Sequence, residues 1–172
     1  MITTRLTDLL GIEHPVMLAG MGGVSYHQLV IAVSEAGGIG TLGAGSMSPE
    51  VMRSEIAEVA AATDKPFGVD LLTAMPIDLV GEVQAIIDGG ARIFVAALGL
   101  PTEVVELCHE HDVLVVNMCG KVSHAVRAVD AGCDVVVAQG TEARGAPPPR
   151  WAIASRSWPR AASSTVAGWP RP

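Results

Sequence analysis

The sequence predicts an α/β fold on a parallel sheet, and three observations carry that expectation. Six apolar stretches alternate with helix-period stretches through short connections. The apolar stretches run continuously, as strands buried on both faces do. Glycine or polar residues follow several of them, at the ends where ligands bind in such sheets. A doubly wound sheet and an eight-stranded barrel both fit.

Each element has its own signal. Residues 4–14 hold an amphipathic segment (Leu6, Leu9, Leu10) that stops at Gly11 and is suited to plugging one end of a barrel or sheet. Pro15–Ala19 is the first expected strand, and Gly20-Met21-Gly22-Gly23 is a turn of permissive backbone. Ser25 is the expected N-cap of a helix that ends at Gly37-Gly38. Ile39–Leu42 is the second strand. Ser48 caps the next helix, with Pro49 in its first turn.

Pro66–Leu72 is the third strand and contains Asp70. Pro76–Ile87 is a helix closed by Gly89-Gly90. Arg92–Leu98 (strand), Pro101–His109 (helix) and Val113–Met118 (strand) follow, the last running into Cys119-Gly120. A helix from Ser123 to Ala131 leads to the sixth strand, Asp134–Ala138, and then to Gln139 and Gly140.

The alternation ends after Ala143. Residues 144–172 contain all three tryptophans and six of the 11 prolines, with no acidic residue and no helical or strand period. The expected organisation is therefore a domain over 1–143 and an irregular tail over 144–172. Such Arg/Pro/Ala/Trp-rich text is what a frameshift in a GC-rich gene would produce. All 18 acidic residues lie at or before Glu142, so the body is strongly acidic. That charge argues against nucleic acid as a partner.

Mean hydropathy is high at +0.42. No apolar run reaches the ~18 residues a membrane span needs. With no secretory pattern and three cysteines lacking a CxxC, a cytoplasmic location is expected.

Several residues stand where chemistry is done. Gly20, Met21 and Gly22 follow a buried strand, and their amides can approach a phosphate or a flat ring. This loop lacks the third glycine of GxGxxG, so a nicotinamide fingerprint is unsupported. A glycine-rich turn is equally a structural device. Asp70 can accept a hydrogen bond from a ligand or cap the next turn. Gln139 both donates and accepts, which suits recognition of a heterocycle. His27 and His124 begin helices near the site end, where surface histidines are also common. Cys119 reads as a site thiol or as a small buried hydrophobe. No histidine or cysteine pairing suggests a metal.

Four stretches together, Pro15–Gly23, Ala36–Gly40, Lys65–Leu71 and Ala131–Ala143, resemble the nitronate monooxygenase (2-nitropropane dioxygenase) family of flavin-dependent barrels. The flavin-dependent enoyl-acyl carrier protein reductases share the pattern. The resemblance covers residues 1 to about 143. It implies an incomplete eight-stranded (β/α)8 TIM barrel of about six strands that binds FMN. It implies flavin contacts at Gly20, Met21, Gly22, Asp70 and Gln139; Asp70 stands where the family usually has asparagine. It implies oxidation of nitronates or nitroalkanes by O2 to carbonyl compounds and nitrite, or reduction of an enoyl thioester by NAD(P)H.

The family continues with Glu-Ala-Gly-Gly-His, whose histidine is the catalytic base. Arg144 replaces the first glycine of that pair, and Ala146 occupies the histidine position. No catalytic residue carries over, and a non-catalytic remnant is the third reading. A six-stranded fragment leaves two sheet edges unpaired. Marginal stability, aggregation or rescue as a homo-oligomer is the expectation.

Overall fold

The computed structural model describes residues 2–139. Expectations for Gly140, Thr141, Glu142, the Ala146 position and the 144–172 tail lie outside the described residues.

The chain begins with helix α1 (Arg5–Leu10). Thr4 and Thr7 form a reciprocal capping box at its start. Gly11, at φ 66°, closes it in a conformation other residues adopt with strain. Strand–helix units then alternate: α2 (His27–Glu35), β1 (Gly40–Gly43), α3 (Pro49–Ala62), β2 (Phe67–Leu72), α4 (Leu79–Asp88), β3 (Ile93–Ala97), α5 (Thr102–Glu110), β4 (Leu114–Cys119), α6 (Val122–Asp130) and β5 (Val135–Ala138). A short 3-10 turn, Ala44–Ser46, follows β1.

Boundaries depart from the sequence reading for local reasons. The expected strand at 15–19 is reduced to one parallel bridge, Met17 to Ile39. Pro15 has no amide proton to donate, and Gly20 leads straight into the loop. Tyr26, not Ser25, stands at the N-cap of α2, with no side-chain capping bond. The Ser25 hydroxyl instead donates to the Ala19 carbonyl (2.9 Å) and accepts from the Met21 amide (3.2 Å). Helix α4 starts at Leu79 because Asp78 caps it.

The sheet is wholly parallel, in the order β1-β2-β3-β4-β5. One register line crosses it, Gly43–Asp70–Val95–Val116–Val135. Its two faces are covered differently. Buried residues from all five helices α2–α6, among them Val30, Ile56, Ile86, Val104 and Ala128, pack in one cluster with Leu42, Val69, Phe94, Val115 and Val136. On the opposite face Ile39, Ile93, Val95, Val116 and Val135 pack with Leu10 and Ile12 at the end of α1, flanked by Leu6 and Leu9.

Sequential strand order with every crossover helix on one face is the singly wound arrangement of a barrel wall. A doubly wound sheet reverses its order and places helices on both faces. Among the described residues the fold is therefore part of a barrel of the (β/α)8 type, with five strands and the Met17 bridge. Helix α1 is the plug at its inner face.

Phe94 is fully buried at the centre of the helix-side cluster. Phe94→Ala is expected to cost ~3–5 kcal/mol of stability, read as a lower denaturant midpoint with an unchanged slope.

Candidate functional site

Side chains alternate along each strand. The inner face therefore carries Thr41 and Gly43 from β1, Asp70 and Leu72 from β2, Val95 and Ala97 from β3, Met118 from β4, and Val137 from β5. This parity agrees with the membership of the two clusters. The carboxyl ends of the strands form one rim, and the residues singled out from sequence gather along it.

The Gly20–Gly23 loop is seated against two strand ends. A side chain at Gly20 would meet the Asp70 Cβ at 2.3 Å and its Oδ2 at 2.5 Å. A side chain at Gly43 would meet the Met21 backbone at 2.4 Å. At Gly43 the Met21 backbone occupies the place of a Cβ, and at Gly20 the Asp70 side chain does from its Cβ outward, so neither position takes a side chain without displacing its neighbour. The Ser25 hydroxyl ties the loop at both ends, through Ala19 and Met21. The amides of Gly20, Gly22 and Gly23 make no hydrogen bond among the described residues. They are donors available to a ligand.

Asp70 lies beside that loop. Its Oδ1 is buried and has no hydrogen-bond partner among the described residues. Burial pushes its pKa from 3.8 up to about 7, because ionising a carboxyl away from water is disfavoured. A protonated Asp70 donates one hydrogen bond, as the amide of asparagine would. Its character at neutral pH is thus set by its surroundings. The absence of an amide donor in its formula does not disqualify it.

Gln139 follows β5, and its amide donates to the Cys119 carbonyl (3.0 Å). Its Oε1 lies 3.5 Å from where a Gly120 side chain would begin. The structure thus brings Gly20, Met21, Gly22 and Asp70 into one cluster. Gln139 sits on the same rim, three strands away.

Other candidates have structural employment. His27 Nδ1 is 2.8 Å from Glu55 Oε2, and its backbone amide donates to the same oxygen at 2.8 Å. That pair joins α2 to α3. His124 lies on the exposed side of α6. The Cys119 thiol is buried in the helix-side cluster and donates to Asn117 Oδ1 (2.9 Å). Burial pushes it up to about 11, so it is no nucleophile. Its reading as a small buried hydrophobe holds. A cleft bordered by Leu10, Lys65, Arg92 and Asp112 opens at the amino ends of the strands. In barrels that end is associated with stability rather than catalysis.

The sequence reading missed Asn117. Its side chain links the ends of β3 and β4, donating to the Ala96 carbonyl (3.0 Å) and the Gly99 carbonyl (2.8 Å). A lone amide interrupting the apolar run Val115-Val116-Asn117-Met118 was the available signal.

Residues 3–79 match the family described as nitronate monooxygenase. Over that stretch, a little under half of its length, the chain is similar to the nitronate monooxygenase family. A Mycobacterium tuberculosis protein named (3aS,4S,5R,7aS)-5-hydroxy-7a-methyl-1-oxo-octahydro-1H-indene-4-carboxyl-CoA dehydrogenase is 36% identical over 144 residues, covering 84% of this chain and 40% of that protein. A probable nitronate monooxygenase of Staphylococcus saprophyticus is 29% identical over 179 residues, covering 84% of this chain and 50% of that protein. The solved structure of FabK from Thermotoga maritima superposes with a TM-score of 0.77 at 36% identity, covering 83% of this chain and 45% of that one. The chain thus spans about half the length, or less, of these relatives. Among the described residues, no helix is long and apolar enough to cross a membrane.

Proposed function

We propose that this chain holds FMN and belongs to an oxidoreductase that converts alkyl nitronates and O2 into carbonyl compounds and nitrite. The observation that supports this is the cluster of Gly20, Met21, Gly22 and Asp70 at the carboxyl rim. With the adjoining Gly23 it offers three open amides (Gly20, Gly22 and Gly23) and one buried carboxyl oxygen without a partner among the described residues. Such a set fits a planar, polar-edged ring system and its phosphate.

Gly20 and Gly22 would approach the cofactor by backbone, with Met21 against it. Asp70, in its protonated form, would donate to a ring heteroatom, and Gln139 would contact it from the opposite side of the rim. Flavin, when bound, supplies the redox chemistry, and the protein supplies binding, orientation and electrostatics.

A neutral nitroalkane must lose a carbon-bound proton, which needs a positioned base. A nitronate arrives already deprotonated. Ala146 stands at the family's histidine position and His27 is held by Glu55, so nitronate anions are the favoured substrates. The partners under this reading are the small-molecule nitronate and O2, with homo-oligomerisation as a means of covering open sheet edges. The 1–143 domain would carry these roles, with 144–172 outside it.

A second reading is favoured by the 36% identity to a protein named as a carboxyl-CoA dehydrogenase. The same rim would then serve flavin chemistry on a thioester, including NAD(P)H-dependent enoyl reduction.

The purified chain, titrated with FMN, is expected to quench flavin fluorescence and retain yellow absorbance after gel filtration. O2 consumption with a nitronate in the absence of NAD(P)H supports the first reading. Bleaching by NAD(P)H supports the second. A chain that never retains flavin is a non-catalytic remnant, and both readings fall.

A further inference from the structure

The turn after β3 is built at some expense that the proposed flavin contacts do not explain. Leu98 has φ 64°, in the left-handed region that side chains adopt with strain, and Gly99 follows at φ 148°. Leu98 is also a large apolar residue left 50% exposed. Its neighbour Leu100, by contrast, packs against the helix-side core.

A buried network holds this conformation. The Thr73 amide (2.9 Å) and hydroxyl (3.0 Å) both donate to the Ala97 carbonyl. Asn117, 4% exposed, donates to the carbonyls of Ala96 and Gly99 on either side of Leu98. The Cys119 thiol donates to Asn117 Oδ1 and so fixes which way the amide faces. Three successive strand ends, β2, β3 and β4, thus converge on one strained turn. It stands on the same rim as Asp70, one strand further along.

Backbone strain persists only where surrounding structure over-determines it, and it gathers at ligand-contacting positions. We infer that Leu98 is a specificity-determining residue that contacts the organic group of the substrate, and that Asn117 is the positioning residue that holds it there. The inference rests on the flavin reading of the rim. An apolar contact is the right chemistry for the alkyl group of a nitronate. Discrimination follows because each methylene gained or excluded at an apolar wall changes binding ~10-fold or more.

The test uses the full chain loaded with FMN and the nitronates of ethane, butane and hexane. Each is followed by turnover and by perturbation of the flavin absorbance on binding, which needs no turnover. Leu98→Gly is expected to raise Tm, since glycine accepts φ 64° freely, while the spread of binding constants across the three nitronates collapses at least fivefold. Leu98→Ala is expected to collapse the spread similarly with FMN affinity unchanged. Asn117→Asp, which loses both donated bonds, is expected to reproduce the loss of selectivity. A purely structural turn would change Tm and leave chain-length preference intact, and that result overturns the inference. Unchanged preference with FMN bound sinks this inference alone. A wild-type chain that takes up no FMN overturns the functional reading and this inference with it.

Discussion

Asp70→Asn is expected to stabilise the protein above pH 7 and to leave its stability near pH 4 unchanged. The folded-state pKa of Asp70 is raised by burial from 3.8 to about 7. Below pH 3.8 both folded and unfolded chains carry the protonated acid, so no penalty arises. Between pH 4 and 7 the unfolded chain ionises first, and wild-type stability falls as pH rises. Above pH 7 the deficit is complete, at most roughly 4 kcal/mol by linkage and less once water reaches the partly open rim.

Asparagine does not titrate, so its stability profile lacks this slope. Urea denaturation of both proteins at half-unit steps from pH 4 to 8 measures it directly. Parallel profiles would show that Asp70 is ionised and solvated in the folded chain. Under the flavin reading, the same titration has a functional consequence. FMN uptake by the wild type should weaken as pH rises through 7, while uptake by Asp70→Asn should stay flat.

Gly43→Ala is the second substitution with a large expected effect. A methyl group there would stand 2.4 Å from the Met21 backbone, and backbone cannot rotate aside as a flexible side chain can. The Gly20–Gly23 loop must lift from β1. Overpacking of this kind costs ~1–3 kcal/mol. Under the flavin reading, FMN affinity is expected to fall at least tenfold, because the loop amides leave their positions together.

Gly120→Ala is the matched control. It lies on the same rim, and its added methyl would meet Gln139 Oε1 at an ordinary 3.5 Å. Its effect on stability is expected to stay within ~0.5 kcal/mol. Equal loss in both variants would mean that the rim tolerates no added methyl anywhere. The seating of the loop on β1 would then have no special importance.

Much of this is legible in the amino-acid sequence. Five of six expected strands and every expected helix are present, because hydrophobic period, Pro49 after Ser48, and glycine stops are local signals. The strand at 15–19 failed because its pattern could not report that Met17 alone would reach Ile39. Ser25, expected to cap α2, instead ties the preceding loop. A serine before a helix can cap it or tie the preceding loop, and the choice depends on where Ala19 and Met21 come to lie. Asn117 gives little local signal because its partners are carbonyls of β3 and the turn after it, about 20 residues back in the chain.

The amino-acid sequence by itself determined the alternation of elements, the glycine loop, the family pattern and the positions of Asp70 and Gln139. All of these depend on neighbours within a few residues. Only the tertiary structure decided between a barrel wall and a doubly wound sheet, since strand order and the face each helix covers are set by contacts between distant segments. It also decided the state of Asp70. A carboxyl's pKa is governed by the water removed around it, and that removal is accomplished by parts of the chain far from residue 70.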